Sequence, residues 1–106
     1  MAEKDVPKVT EALNKHLEDN YKVHITFSEA EVAHFLLPRQ NVMWSYVVED
    51  EDGNISDFAS FYALNSSILV ENEWNYTHLM AAYCFYNFVK DNDPQRQRIL
   101  MRDVLI

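Results

Sequence analysis

The only glycine in this 106-residue chain, Gly53, constrains the fold more than any other residue. It follows an acidic run at 49–52 and lies between two segments rich in aromatic and β-branched residues. Because glycine adopts positive φ at little cost, this position predicts the tight turn of a β-hairpin. A chain with one glycine also lacks the glycine-rich loops that hold phosphates in dinucleotide and nucleoside triphosphate sites.

The segments on either side of this turn have the alternation or composition of strands. From Asn41 onward, one face carries Val42, Trp44, Tyr46 and Val48, and the other carries Met43, Ser45 and Val47. Since both faces look at least partly covered, this segment predicts an interior strand. A second strand is expected from Ile55 to about Leu64, and a third over 81–89, which has strand composition throughout.

Two helices are predicted ahead of the strands. The second begins at Ser28, which has capping-box spacing to Glu31, and it ends before Pro38. The first has Asp5 as its cap, Pro7 in its first turn and an apolar stripe at helical spacing, formed by Val6, Val9, Leu13 and Leu17.

A last helix is predicted from Asp93, as its cap, through Ile106, with Pro94 at the first helical position. The predicted order is therefore α-α-β-β-β-α with a mainly antiparallel sheet, an α/β (α+β) fold. No repeat or low-complexity linker interrupts the chain, so residues 1–106 are expected to form a single domain.

The charge balance argues against nucleic acid as a partner. Seventeen acidic residues against nine basic ones give a net charge of −8, which repels phosphate backbones and anionic lipid. No apolar run approaches the ~18 residues that cross a bilayer, and the first five residues are charged where a signal peptide is apolar. We therefore expect no membrane insertion and a cytoplasmic location.

The acidic turn has part of the spacing of a calcium-binding loop, since Asp50, Asp52 and Asn54 occupy its first, third and fifth positions. However, Ile55 stands where such a loop needs glycine, and Phe61 stands where it needs a bidentate glutamate. A solvated hairpin turn is the favoured interpretation.

The remaining metal-ligating residue types also predict no metal site. No two of the four histidines have the spacing of three or four residues that would place them on one helical face. A single cysteine, Cys84, forms no internal disulfide. Its neighbours Tyr83 and Phe85 favour a small buried thiol over a catalytic nucleophile.

Several blocks of the sequence resemble the glycylpeptide N-tetradecanoyltransferase (N-myristoyltransferase) family. They occur in the family's order and cover nearly the whole chain. The resemblance implies a partial GNAT-like acyl-CoA N-acyltransferase fold, and it places the chain in the first portion of the family's C-terminal, peptide-binding half. The blocks are residues 5–10, 27–29, 37–42, 45–49, 57–66, 81–87 and 100–105.

The resemblance implies a function that this segment serves only in part. The family transfers myristate from myristoyl-CoA to the N-terminal glycine of proteins. The half of the family that holds myristoyl-CoA and supplies the oxyanion hole has no counterpart here, so we expect this segment to bind no cofactor. The family's base is the carboxylate of its last residue, a role that Ile106 is not expected to inherit. We therefore assign no catalytic residue and expect the chain alone to be inactive.

Two residues of the peptide-binding groove carry over from the resemblance. Ser66 matches the serine of the family's Leu-Pro-Ser motif, and Tyr83 matches the tyrosine of its Ala-Ala-Tyr motif. Asn65 replaces the family's proline, and Cys84 stands where serine is common. The alternatives are a turn hydroxyl for Ser66 and an ordinary half-buried sheet residue for Tyr83.

The implied partner is a peptide or protein with an N-terminal glycine, and an acidic groove would attract basic residues further along such a peptide. Two other functions remain open. One is a non-catalytic protein or peptide interaction module derived from the same fold. The other is a small independent GNAT-type acyltransferase, which the missing glycine-rich loop disfavours. Strand edges left open by the absent half also predict a homo-dimer or an aggregate, or else a terminal helix folded over the open edge.

Overall fold

A computed structural model describes all 106 residues and confirms the predicted order of elements. The second strand continues three residues past the predicted end at Leu64, and the third begins three residues before the predicted start at Ala81. Short 3-10 turns precede the first helix and the last. The elements are α1 (Val6–Asn20), α2 (Glu29–Leu36), β1 (Met43–Glu49), β2 (Ile55–Ser67), β3 (His78–Phe88) and α3 (Pro94–Leu105).

The three strands form one antiparallel sheet in the order β1-β2-β3, so β2 is the central strand. The prediction that β1 is an interior strand is wrong, because β1 lies at one edge. Within β1, Met43 and Ser45 are buried, whereas Tyr46 and Val48 on the opposite face are exposed. Apolar residues on both faces of a strand indicate what covers those faces, and they do not indicate whether both edges are paired.

Helices α1 and α2 pack on one face of the sheet and form the main core with it. Phe58, on the central strand, is fully buried there. Helix α3 packs on the opposite face, where Leu100 joins Ala59 and Val89 in a smaller cluster. No helix is both long and apolar enough to span a membrane.

The helix caps agree with the prediction at two of three positions. At α2, the Glu31 amide donates to Ser28 Oγ over 3.3 Å, and the Ser28 amide donates to Glu31 Oε2 over 2.8 Å. The bond from the Ser28 amide lowers the pKa of the Glu31 carboxyl. At α3, the Asp93 carboxylate accepts a first-turn amide. The prediction for Asp5 is wrong, because its carboxylate accepts the Ala2 amide over 2.7 Å and caps no amide of α1.

The hairpin turn forms around Gly53, whose φ of 76° is in the left-handed region that glycine tolerates. Asp50 Oδ1 accepts hydrogen bonds from the backbone amides of Asp52 and Asn54 over 3.0 and 2.9 Å. These two bonds close the turn. Lys8 of α1 donates to the Gly53 carbonyl, which ties the turn to the first helix.

A buried carboxylate fixes α3 to the sheet. Asp57 is 4% exposed. Its two carboxylate oxygens accept hydrogen bonds from Arg96 Nε over 2.8 and 3.0 Å. The Lys90 amide donates to the same carboxylate over 3.0 Å. The hydrogen bond to Asp57 raises the pKa of the Arg96 guanidinium, so Arg96 stays the charged donor of this pair.

A β-bulge interrupts the pairing of β2 with β3 between Ala59 and Phe61. The fully buried Ser60 stands opposite two residues of β3, Phe85 and Tyr86. Its hydroxyl donates to the Tyr86 carbonyl over 2.7 Å and accepts the Tyr86 amide over 3.1 Å. The serine side chain therefore satisfies backbone groups that a regular strand partner would otherwise satisfy.

We predict that Ser60→Ala lowers the free energy of unfolding by about 1–3 kcal/mol, because it leaves the Tyr86 backbone groups without a partner. Urea denaturation followed by circular dichroism measures this loss. Ser67→Ala, at an exposed position of the same strand, serves as the control and should stay within about 0.5 kcal/mol of the unmodified chain. Equal stability of the two variants would contradict the role of the hydroxyl.

Candidate functional site

The two residues predicted to bind peptide lie on the half of the β2–β3 hairpin that extends away from the main core. Ser66 is half-buried and pairs with Leu79, whereas Tyr83 is 55% exposed and pairs with Tyr62. Because Ser66 belongs to a strand, its interpretation as a turn residue is wrong.

Strand register places Ser66 and Tyr83 on the same face of the sheet. Tyr62 and Ser66 are four residues apart on β2, so they point to the same side, and Tyr83 is the direct partner of Tyr62. From strand spacing, the Cα atoms of Ser66 and Tyr83 are about 14 Å apart. The two side chains do not touch, but an extended peptide of about four residues spans the distance.

Tyr83 lies at the end of a chain of aromatic contacts. Its ring lies 5.3 Å from that of Tyr62, and the Tyr62 ring meets Phe85 edge-on at 5.4 Å. Phe85 contacts Tyr86 at 4.5 Å, and Tyr86 contacts Phe27 at 5.3 Å. We call these five residues the aromatic cluster. Each such pair adds about 0.5–1.5 kcal/mol beyond the area it buries, so these contacts stabilise the position of the Tyr62 ring against which Tyr83 packs.

Sequence reasoning did not identify Tyr62 or Phe85 as part of this site. The only available signal was the high aromatic content of the strands, because 11 of the 14 aromatic residues lie between Trp44 and Phe88. That content does not reveal which ring on β2 faces which ring on β3. Strand register decides the pairing, and the bulge sets the register.

A cavity of ≈ 420 Å³ lies between the end of α1 and β3 and is lined in part by His16, Leu17 and Tyr86. The His16 ring stacks on Phe88 with centroids 5.4 Å apart. Burial lowers the pKa of His16, and the nearby Asp19 carboxylate opposes this shift. The imidazole is therefore predominantly neutral at pH 7.

A second cavity, of ≈ 480 Å³, adjoins the aromatic cluster and lies between α2, the start of β1 and the sheet. Tyr62 and Phe85 line it, so it is continuous with the surface around Tyr83. Its other lining residues are His34, Phe35, Arg39, Val42 and Met43. We call it the α2–β1 cavity.

The prediction that Cys84 is buried is wrong, because its side chain is exposed. It pairs with Phe61 on the face opposite Tyr83, on a stretch of β3 that no helix covers. The side-chain amide of Asn87 donates from Nδ2 to the Cys84 sulfur over 3.2 Å. No group of three or more His, Cys, Asp or Glu side chains is placed to hold a metal ion.

The face that carries Ser66 and Tyr83 thus combines hydroxyl groups with exposed aromatic rings. Such groups bind a ligand by hydrogen bonds and by stacking. They are well suited to hold an extended peptide against the sheet.

A comparison with protein-family models finds one match over residues 1–106, "Myristoyl-CoA:protein N-myristoyltransferase, C-terminal domain". Among curated proteins, glycylpeptide N-tetradecanoyltransferase 1 of Arabidopsis thaliana is 43% identical over all of this chain and 23% of its own length. A Plasmodium falciparum glycylpeptide N-tetradecanoyltransferase is 42% identical over 82% of this chain and 20% of its own length. The chain therefore spans about a fifth of these relatives.

Solved structures agree with this comparison. Saccharomyces cerevisiae N-myristoyltransferase with bound myristoyl-CoA and inhibitors has a TM-score of 0.65 and 29% identity, over 98% of this chain and 26% of that protein. The BH1408 protein of Bacillus halodurans, a mutant form, has a TM-score of 0.60 at 14% identity and covers 99% of this chain and 69% of its own. At that identity the second match concerns the fold alone.

The lowered pKa of His16 predicts how stability changes with pH. Its contribution is fully present above the ordinary histidine pKa of 6.5 and is lost as pH falls through the lower pKa of the folded state, because the unfolded chain binds the proton more readily. Urea denaturation between pH 5.5 and 7.5 should show falling stability on acidification.

The His16→Gln variant should lose this component of the pH dependence. His24→Gln, which alters an exposed histidine, should retain it. An identical slope in His16→Gln and the unmodified chain would show that another group is responsible.

Proposed function

Since the chain belongs to the C-terminal domain family of the myristoyl-CoA:protein N-myristoyltransferases, we propose that it serves the transfer of myristate to the N-terminal glycine of proteins. Within that reaction, its role is to form one wall of the groove that binds the acceptor peptide. The observation that carries this role is the placement of Ser66 and Tyr83 on one face of the sheet, with Tyr83 in contact with the aromatic cluster.

The two residues have complementary roles in this proposal. The Ser66 hydroxyl exchanges hydrogen bonds with the peptide backbone, and the Tyr83 ring packs against a peptide side chain or backbone segment. Their separation of about 14 Å suits an extended peptide, which advances about 3.3 Å per residue. This geometry supports the binding of an extended peptide. It does not by itself support acyl transfer.

The chemistry of acyl transfer is proposed to reside outside these residues. The glycine ammonium must lose a proton before its nitrogen attacks the thioester carbonyl, and the oxyanion that develops needs aimed donors. Serine and tyrosine hydroxyls are too weakly basic to take that proton at neutral pH. Myristoyl-CoA, the proposed acyl donor, is likewise expected to be held elsewhere, because the chain has no glycine-rich loop for its phosphates.

A non-catalytic interaction module is the second candidate function. The exposed apolar side chains at the end of the β2–β3 hairpin favour it, since Leu69 is 94% exposed and Met80 is 80% exposed. A comparison of two peptides separates the candidates. A groove for glycine acceptors should prefer a glycine-leading peptide to its alanine-leading counterpart, whereas equal binding would favour the module.

We predict that Tyr83→Ala weakens binding of a glycine-leading peptide by about fivefold, through loss of aromatic packing. Tyr83→Phe should retain most of the affinity, and Ser66→Ala should weaken binding by about fivefold through loss of a hydrogen bond. Fluorescence anisotropy of a peptide labelled at its C-terminus measures each dissociation constant.

Tyr76→Ala is the matched control, because Tyr76 is similarly exposed but lies in the loop at the end of the hairpin. It should leave the dissociation constant unchanged. Peptide binding that is indifferent to Tyr83→Ala would contradict the proposed groove.

Turnover is tested separately, by incubating the chain with myristoyl-CoA and the peptide and analysing the products by mass spectrometry. We expect no myristoylated peptide. Its formation would overturn the proposal that the proton acceptor and the thioester site lie outside the chain.

A further inference from the structure

We propose that the α2–β1 cavity is a second subsite for the acceptor peptide and takes a bulky apolar side chain that neighbours an acidic residue. This inference rests on the proposed peptide-binding function and adds a sequence preference to it.

The size and walls of the cavity suit an apolar side chain. Its volume of ≈ 480 Å³ lies within the range of about 300–1,000 Å³ that is typical of ligand sites. Three large apolar side chains at its rim remain substantially exposed: Phe35 at 51%, Val42 at 52% and Phe85 at 38%. Burying them against a peptide side chain removes apolar surface from water, which favours binding.

The α2–β1 cavity has an arginine at its rim, which the cavity beside His16 lacks. The chain has a net charge of −8, yet no carboxylate lines the cavity, and Arg39 and His34 do. The Arg39 side chain takes part in neither of the two ion pairs and forms no hydrogen bond within the chain. Its guanidinium is therefore free to receive a carboxylate of a ligand, and arginine binds carboxylates in a bidentate manner.

The cavity lies within reach of a peptide that contacts Tyr83. Met43 at the cavity pairs with Tyr62, and Tyr62 pairs with Tyr83, so the path crosses two strand spacings, about 10 Å in total. An extended peptide covers that distance in about three residues. The ring of Tyr62 contacts Tyr83 and lines the cavity, so the two parts of the surface are continuous.

The test uses glycine-leading peptides of one length in which a Phe-Glu pair is moved along the sequence, each matched by a Phe-Gln peptide. At one placement, we expect the Phe-Glu peptide to bind about threefold more tightly than its Phe-Gln counterpart, as for an exposed ion pair. Arg39→Gln should abolish this difference. Arg98→Gln, which removes an exposed arginine on α3, should preserve it.

A second variant tests the apolar part of the subsite. Val42→Trp fills the cavity from a half-exposed position, so the fold should be retained, which circular dichroism checks. Val42→Trp should weaken binding of the Phe-Glu peptide by about fivefold. It should leave binding of an Ala-Glu peptide unchanged.

The outcomes separate this inference from the function on which it rests. If Tyr83→Ala weakens peptide binding but neither Arg39→Gln nor Val42→Trp affects the Phe-Glu preference, only the subsite is overturned. If no glycine-leading peptide binds, both proposals fail. Two further results would assign the cavity to another occupant and overturn the subsite: Arg39-dependent binding of decanoate without any Phe-Glu preference, or a dimer in sedimentation that Arg39→Gln dissociates.

Discussion

The hydrogen bonds between the Ser60 hydroxyl and the Tyr86 backbone support the register on which the candidate site depends. Side chains alternate between the faces of a strand, so one extra residue in β3 reverses the faces of everything beyond it. With the bulge, Tyr83 stands opposite Tyr62. Continuing the pairing of Phe58 with Phe88 without a bulge would instead place Cys84 opposite Tyr62 and turn Tyr83 to the other face.

One part of the sheet is covered by helices, and the other part is exposed to solvent. Near the base of the sheet, helices on both faces bury Phe58 and Ala59, and Asp57 holds α3 in place through Arg96. Beyond the bulge, β3 is exposed and presents rings and hydroxyl groups. This arrangement is consistent with a domain that spans a fifth of its relatives and whose open surface the proposed function assigns to a peptide.

Prediction from sequence succeeded where the signal is local. The capping box of Ser28 and the turn at Gly53 each lie within a few residues, and both form as predicted. It failed where distant contacts decide. The cap at Asp5 failed for a local reason, because its carboxylate accepts the Ala2 amide three residues away, but Cys84 is exposed because no helix covers its part of β3. Likewise, β1 is an edge strand because it pairs only with β2, whose other edge pairs with β3.

The amino-acid sequence alone determined the order of helices and strands, the hairpin turn and the family resemblance, since periodicity, caps and a single glycine act over short distances. Ser66 and Tyr83 were also identifiable as candidates from the sequence. Only the tertiary structure decided that they share one face, that Tyr62 supports Tyr83, and that Arg39 lies beside an apolar cavity. The physical reason is that strand register and helix packing join residues far apart in the chain, and local preferences do not encode those pairings.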